Sequence, residues 1–192
     1  MNEEAQEVLD YLLEGNRRFA GSFPSHPHQD KSRRDECTVG QNPVAAIVGC
    51  ADSRVPTELI FDCGIGDVFI VRNAGTVLDS ATAASVEYAV DHLRVPLVIV
   101  LGHTSCGAVT AAIQGSEVTG ALGNLLEGIR RDCTSIGCTS AAPIDTTVKR
   151  YTKHIARQIS TMQPVVKPAV DRGRCSVVAA CYSLESGTVE VL

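Results

Sequence analysis

The sequence predicts an α/β protein with a central, mainly parallel sheet of four strands plus a C-terminal edge strand, flanked by helices and preceded by an N-terminal helical arm. Three observations predict it. VAAIVG (44–49), VFIVR (68–72) and PLVIVL (96–101) are short, nearly continuous apolar runs rich in β-branched residues, the pattern of strands buried on both faces. The stretches between them include DSATAASVEYAVDHL, which has helical periodicity, and strand alternating with helix implies parallel βαβ units. The chain has 192 residues, 44% of them apolar, which suits one domain with a substantial core.

The elements follow in order. Ala5, Val8, Leu9, Leu12 and Phe19 recur at helical spacing among acidic and polar residues, so the first twenty residues or so read as an amphipathic helix. From Gly21 to Asn42 the text is Ser, Pro, His, Asp, Lys and Arg, a long surface loop. Residues 1–42 thus form the arm and loop, and 43–192 the α/β core. Asp79 or Ser80 caps the helix after the second strand, and AVTAAIQG forms another behind Cys106. Further helices are expected near ALGNLLEGIRR, over Asp145–Met162, and in PVVKPAVDRG, which stops at Gly173. CSVVAACYS and TVEVL, separated by the turn ESG, close the chain as a strand and a short edge strand.

Composition excludes several function classes. The net charge is −5, no segment is dense in Lys and Arg, and there are four Phe and four Tyr, so there is no electrostatic footprint for nucleic acid. No apolar run approaches the roughly 20 residues of a membrane-spanning helix. The N-terminus MNEEAQEVLDYLLEGNRRF is acidic and lacks the basic and apolar regions of a secretory signal, so a cytoplasmic location is expected. In that compartment eight cysteines do not make a disulfide framework, which leaves metal ligands and small buried hydrophobes.

Metal chemistry emerges at the strand ends. GHTSCG places His103 and Cys106 directly behind the third strand, and VGCADSRVP places Cys50 at the end of the first. In a parallel sheet, ligands gather outside the carboxyl ends of strands, so the three residues share one rim. Two thiolates and an imidazole suit zinc, and three protein ligands leave a fourth position open. Asp52 stands within reach of that position, and Arg54 can hold its carboxylate in a bidentate pair. Asp52 is equally suited to capping the turn before Val55. Cys133 and Cys138 have no further Cys/His pair beside them and read as structural or incidental.

CADSRVP followed about fifty residues later by GHTSCGAV, with GDVFIVRNAG and ASVEYAV between them, resembles the β class of carbonic anhydrases over most of the chain. The resemblance implies one Zn2+ per subunit on Cys50, His103 and Cys106, and an Asp52–Arg54 dyad that gates the fourth position. It implies reversible hydration of carbon dioxide to bicarbonate and a proton by zinc-bound hydroxide. Gln41 matches a glutamine that holds substrate in the plant-type members, Phe69 and Tyr88 match pocket aromatics, and Gly107 follows the last ligand as in the family. Ala74 stands where that pocket often has Val. Ile47, where the allosteric subgroup has Trp, places the chain with the plant-type members. His26 and His28 are the loop candidates for a proton shuttle. The family also implies a homodimer or higher even-numbered oligomer, with the N-terminal helix reaching across a neighbour. Two other readings share the scaffold: a hydrolase of carbon disulfide or carbonyl sulfide, and an inactive zinc module closed by Asp52.

Overall fold

The computed structural model describes residues 1–116 and 118–192. Its centre is a five-stranded sheet of β1 (Ala45–Cys50), β2 (Val68–Asn73), β3 (Leu97–His103), β4 (Ser176–Tyr182) and β5 (Val189–Val191), in the order β2-β1-β3-β4-β5. The first three pairings are parallel, and β5 joins β4 antiparallel. The chain leaves β1 for β2 on one side and then crosses back to β3 on the other. The strand order therefore reverses between β1 and β3, and the crevice of such a sheet opens outside their carboxyl ends.

Alternation along the strands splits the core in two. Ala46, Val48, Val98 and Val100 face one cluster, which includes Val86, Val109, Ile129, Tyr151 and Ile155. Those side chains come from α4 (Ser80–Asp91), α5 (Gly107–Gln114), α6 (Gly120–Ser135) and α7 (Ile144–Ser160). Ala45, Ile47, Leu97, Ile99 and Leu101 face the second cluster, which takes Leu9 and Leu12 from α1 (Glu3–Ala20) and Ile60 from α3 (Thr57–Ile60). Each fully buried side chain of this size contributes roughly 1.5–3 kcal/mol, so both faces need their helices. Gly102 lets α7 approach β3 closely: a Cβ there would stand 2.1 Å from Thr152 Oγ1.

Two expectations are corrected. The 21–42 segment is not all loop, for α2 (Lys31–Glu36) forms within it, capped by Asp30 accepting the Arg33 N–H. No apolar residue announced it, and none of its residues is buried. The VFIVR strand is half-buried rather than covered on both faces, because β2 lies at the sheet's edge. The N-terminal helix α1 forms as expected, with Ala5 and Leu12 fully buried in the second cluster. The other elements stand within a few residues of expectation, with α8 (Val166–Asp171) followed by Gly173 in the left-handed region.

Candidate metal centre

Cys50 ends β1, His103 ends β3, and Cys106 caps α5, so two strand ends and one helix start converge at the point where the strand order reverses. All three residues are buried, and their Sγ, Nε2 or Nδ1 and Sγ ligand atoms lie within 4.8 Å of one another. His103 Nδ1 is 3.0 Å from the Thr104 carbonyl, which fixes the N–H on that nitrogen and turns the Nε2 lone pair inward. Nε2 is buried and has no hydrogen-bond partner. An orphaned acceptor beside two thiols, in a site without other compensation, is what a tetrahedral thiophilic cation would satisfy, so the residues fit zinc.

The thiols are already polarised. The neighbouring Cys106 thiol, His103 and the N–H groups of Gly75 and Asp52 hold the Cys50 thiol well below the usual range, against the opposing effect of burial. Cys106 is pushed up by the neighbouring Cys50 and by burial. Two thiols this close cannot both ionise without a cation between them, and the backbone donors at 3.4 Å select Cys50 to carry the charge. Gly75 can donate because it adopts φ +72 at the end of β2 and carries no Cβ, which would stand 2.7 Å from Ile129.

Beside the ligands, Asp52 accepts from Arg54 through both oxygens, at 2.9 and 2.7 Å, and from the Arg54 N–H. The Arg54 hydrogen bonds hold its carboxyl well below the usual carboxylate range, against burial. Its Oδ2 is 3.9 Å from His103 Nε2, so the carboxylate borders the ligand set while both oxygens face Arg54. The backbone hydrogen bond makes Asp52 a turn cap as well; α3 begins only at Thr57, behind Pro56.

Two residues that pattern reading missed hold this rim. Arg72 donates to the Cys50 and Asp52 carbonyls, both at 2.7 Å, and so ties β2 to the loop after β1. A charged residue terminating an apolar strand was its signal. Asp145, read only as a helix start, accepts the Ser105 N–H at 2.8 Å. That bond secures Ser105 in the left-handed region at φ 55, a strained position for a residue with a Cβ. Nothing in sequence spacing links positions 105 and 145.

The other expected site residues divide. Gly107 is exposed at the first position of α5, where a Cβ would meet nothing within 4 Å, and Ala74 sits in the turn after β2, next to Gly75. Gln41 and Phe69 lie at the opposite end of the sheet. Phe69 pairs with Ala46, four positions before the Cys50–Asn73 pair, or roughly 13 Å along the strand. Tyr88 on α4 packs on Phe69 with ring centroids 6.0 Å apart, and it is 44% exposed. Gln41 shares a groove with His28, Arg33 and Asp67. His28 Nδ1 is 2.7 Å from Asp67, whereas His26 lies in a separate small cavity with Phe19 and Cys63. One chain therefore assembles the ligands and the Asp52–Arg54 dyad but does not bring Gln41, Phe69, Tyr88 or the loop histidines to them.

The carbonic anhydrase family profile matches residues 45–189. Carbonic anhydrase 2 of Mycobacterium tuberculosis is 38% identical over 92% of this chain and 87% of its own length. A carbonic anhydrase of Mycolicibacterium smegmatis is 36% identical over 94% and 89%. Among solved structures, the β-carbonic anhydrase CcaA superposes with a TM-score of 0.76 at 25% identity, covering 95% of this chain and 94% of that one. CafA of Aspergillus fumigatus gives 0.72 at 29%, covering 96% and 90%. The chain belongs to the carbonic anhydrases, and within them to the β class. It is accordingly a lyase of carbon dioxide and bicarbonate chemistry. Among the described residues, no helix is long and apolar enough to cross a membrane.

Proposed function

We propose that the chain hydrates carbon dioxide reversibly at a zinc ion held by Cys50, His103 and Cys106. The observation that carries this reading is the buried, unpartnered Nε2 of His103 facing two thiols, with Asp52 held beside it by Arg54. Zinc would supply Lewis acidity, which brings the ionisation of water into the neutral range. The chain's own residues do the rest. The Gly75 and Asp52 N–H groups stabilise charge on Cys50. Arg54 holds both Asp52 oxygens, so the dyad would leave a bound zinc open to water rather than close a four-ligand structural site. Arg72 fixes the loop that carries the dyad.

Gln41, Phe69 and Tyr88 enter this site in trans, from a second copy of the chain. Their distance from Cys50 along the sheet and the exposure of Tyr88 support that arrangement. Gln41 would then hold the bicarbonate oxygens and the two aromatics would keep the pocket dry. A homodimer is thus the smallest competent unit.

The decisive experiment measures zinc content and carbon dioxide hydration on the same samples. Cys50→Ser, His103→Ala and Cys106→Ser are expected to lose both; a variant that hydrates at the wild-type rate without zinc would overturn the assignment. Turnover of carbonyl sulfide on the same protein tests the rival substrate, which the proposal expects to be slower than carbon dioxide. Mixing Cys50→Ser with Gln41→Ala protein tests the trans site. Each mixed dimer holds one intact site, so random exchange should bring activity to about a quarter of wild type, well above either variant alone. No gain on mixing would return Gln41 to a surface role.

A further inference from the structure

The geometry points to a modification site outside the set of metal ligands: Cys133 and Cys138 form a reversible disulfide, with a hydroperoxide as oxidant. Helix α6 ends in two backbone bonds around Gly137. The Cys138 N–H donates to the Cys133 carbonyl at 2.9 Å, and the Gly137 N–H donates to the Thr134 carbonyl at 3.0 Å, with Gly137 at φ 70. This is a Schellman motif, and its geometry presses the side chain after the glycine against the one three positions before the helix end. Apolar residues ordinarily fill those two places. Here both are cysteines, and both lie in the same buried cluster.

The turn is held in place from outside. Arg150 on α7 donates to the carbonyls of Ile136 and Gly137, so the six residues from Cys133 to Cys138 are clamped at both the backbone and the α7 face. A direct backbone hydrogen bond between the two cysteines keeps their Cα atoms within the separation of about 4.4–6.8 Å that a disulfide spans.

Burial sets the order of events. Cys133 is fully buried, and burial followed by the proximity of Cys138 pushes its thiol up to about 12. Cys138, at 9% exposure, is the thiol at the rim. It reacts first: the Cys138 thiol and a hydroperoxide ROOH give the sulfenic acid and ROH. The Cys133 thiol then attacks that sulfur, the S–S bond forms, and water leaves. Two thiols lose two electrons and two protons in all, and the O–O bond takes them up. A dithiol restores the pair by exchange.

The test uses the full-length, zinc-loaded protein. Graded hydrogen peroxide is followed by iodoacetamide, trypsin and mass spectrometry, with zinc measured alongside. The peptide Asp132–Lys149 contains both cysteines and no other. It is expected to lose two hydrogens and its capacity for two alkyl groups, and to regain both after dithiothreitol. Cys138→Ser should leave Cys133 without an intramolecular disulfide, and Cys133→Ser should leave a Cys138 sulfenic acid that dimedone traps. Because Cys133 is in the core, Cys138→Ser at the rim serves if the other variant does not fold. The proposal is overturned if the wild-type peptide goes to sulfinic acid without passing through the disulfide. It is also overturned if zinc is released while both thiols still alkylate.

Discussion

Two Asp–Arg pairs, whose carboxylates stand ten residues apart in this chain, do different work with the same chemistry. Asp62 is nearly sealed, with its side chain 2% exposed. It accepts from Arg18 Nε, the Ser25 N–H and hydroxyl, and the His26 N–H, at 2.6–2.9 Å. Asp52 accepts from one residue, Arg54, whose side chain is 54% exposed, and its second oxygen borders His103. Both carboxyls are held below their ordinary range. The difference lies in how many parts of the fold each oxygen serves. Asp62 ties α1, the following loop and α3 together and has no acceptor capacity left to exchange. Asp52 is held by one partner on a long, exposed side chain, which is what the proposed gating role requires.

The largest expected effect separates the pairs by activity. Arg54→Ala should lower hydration about 10–100-fold, the usual consequence of removing the residue that orients a group beside a metal, with little change in melting temperature. Freed of Arg54, Asp52 would compete for the fourth position, so the loss should be in turnover. A drop in melting temperature as large as that of an Asp62 variant would erase the distinction. Asp62→Asn should do the reverse. It should cost about 2 kcal/mol, or roughly 4–8 °C in melting temperature, while leaving turnover at about the wild-type value.

The contrast also explains what was legible in the sequence. The strands and most helices were, because β1 and β3 are buried along their whole length and helical periodicity needs no tertiary information. The ligand set followed from one rule about strand ends, applied to Cys50 and to His103 with Cys106. Arg54 was legible for a local reason, since it reaches Asp52 from two residues away. What was hidden is long-range. Arg18 and Ser25 meet Asp62 from 44 and 37 positions away, and Asp145 meets Ser105 across 40. Helix α2 was hidden for the opposite reason: it buries nothing, so its sequence carries no apolar period. Gln41, Phe69 and Tyr88 enter the proposed site through family likeness alone, because within one chain they lie at the far end of the sheet.

The smallest effect is the pH dependence of the sealed pair, and its sign follows from the direction of the shift. Burial alone would raise the Asp62 carboxyl, but the donors from Ser25, Arg18 and His26 outweigh it and bring it from 3.8 down to about 2. A carboxyl depressed in the folded state binds its proton more weakly there than in the unfolded chain. Its stabilisation is therefore complete above the unfolded value of 3.8 and is lost as pH falls towards 2. The gap in unfolding free energy between wild type and Asp62→Asn should stay constant from about pH 7 to 5. Below that it should narrow, reaching its minimum near pH 2. Urea unfolding of both proteins at stepped pH checks this, with the zinc-free proteins compared so that metal loss in acid does not enter. A gap that widened on acidification would mean that the proton, and not the ionised carboxylate, is what Ser25 and Arg18 hold in place.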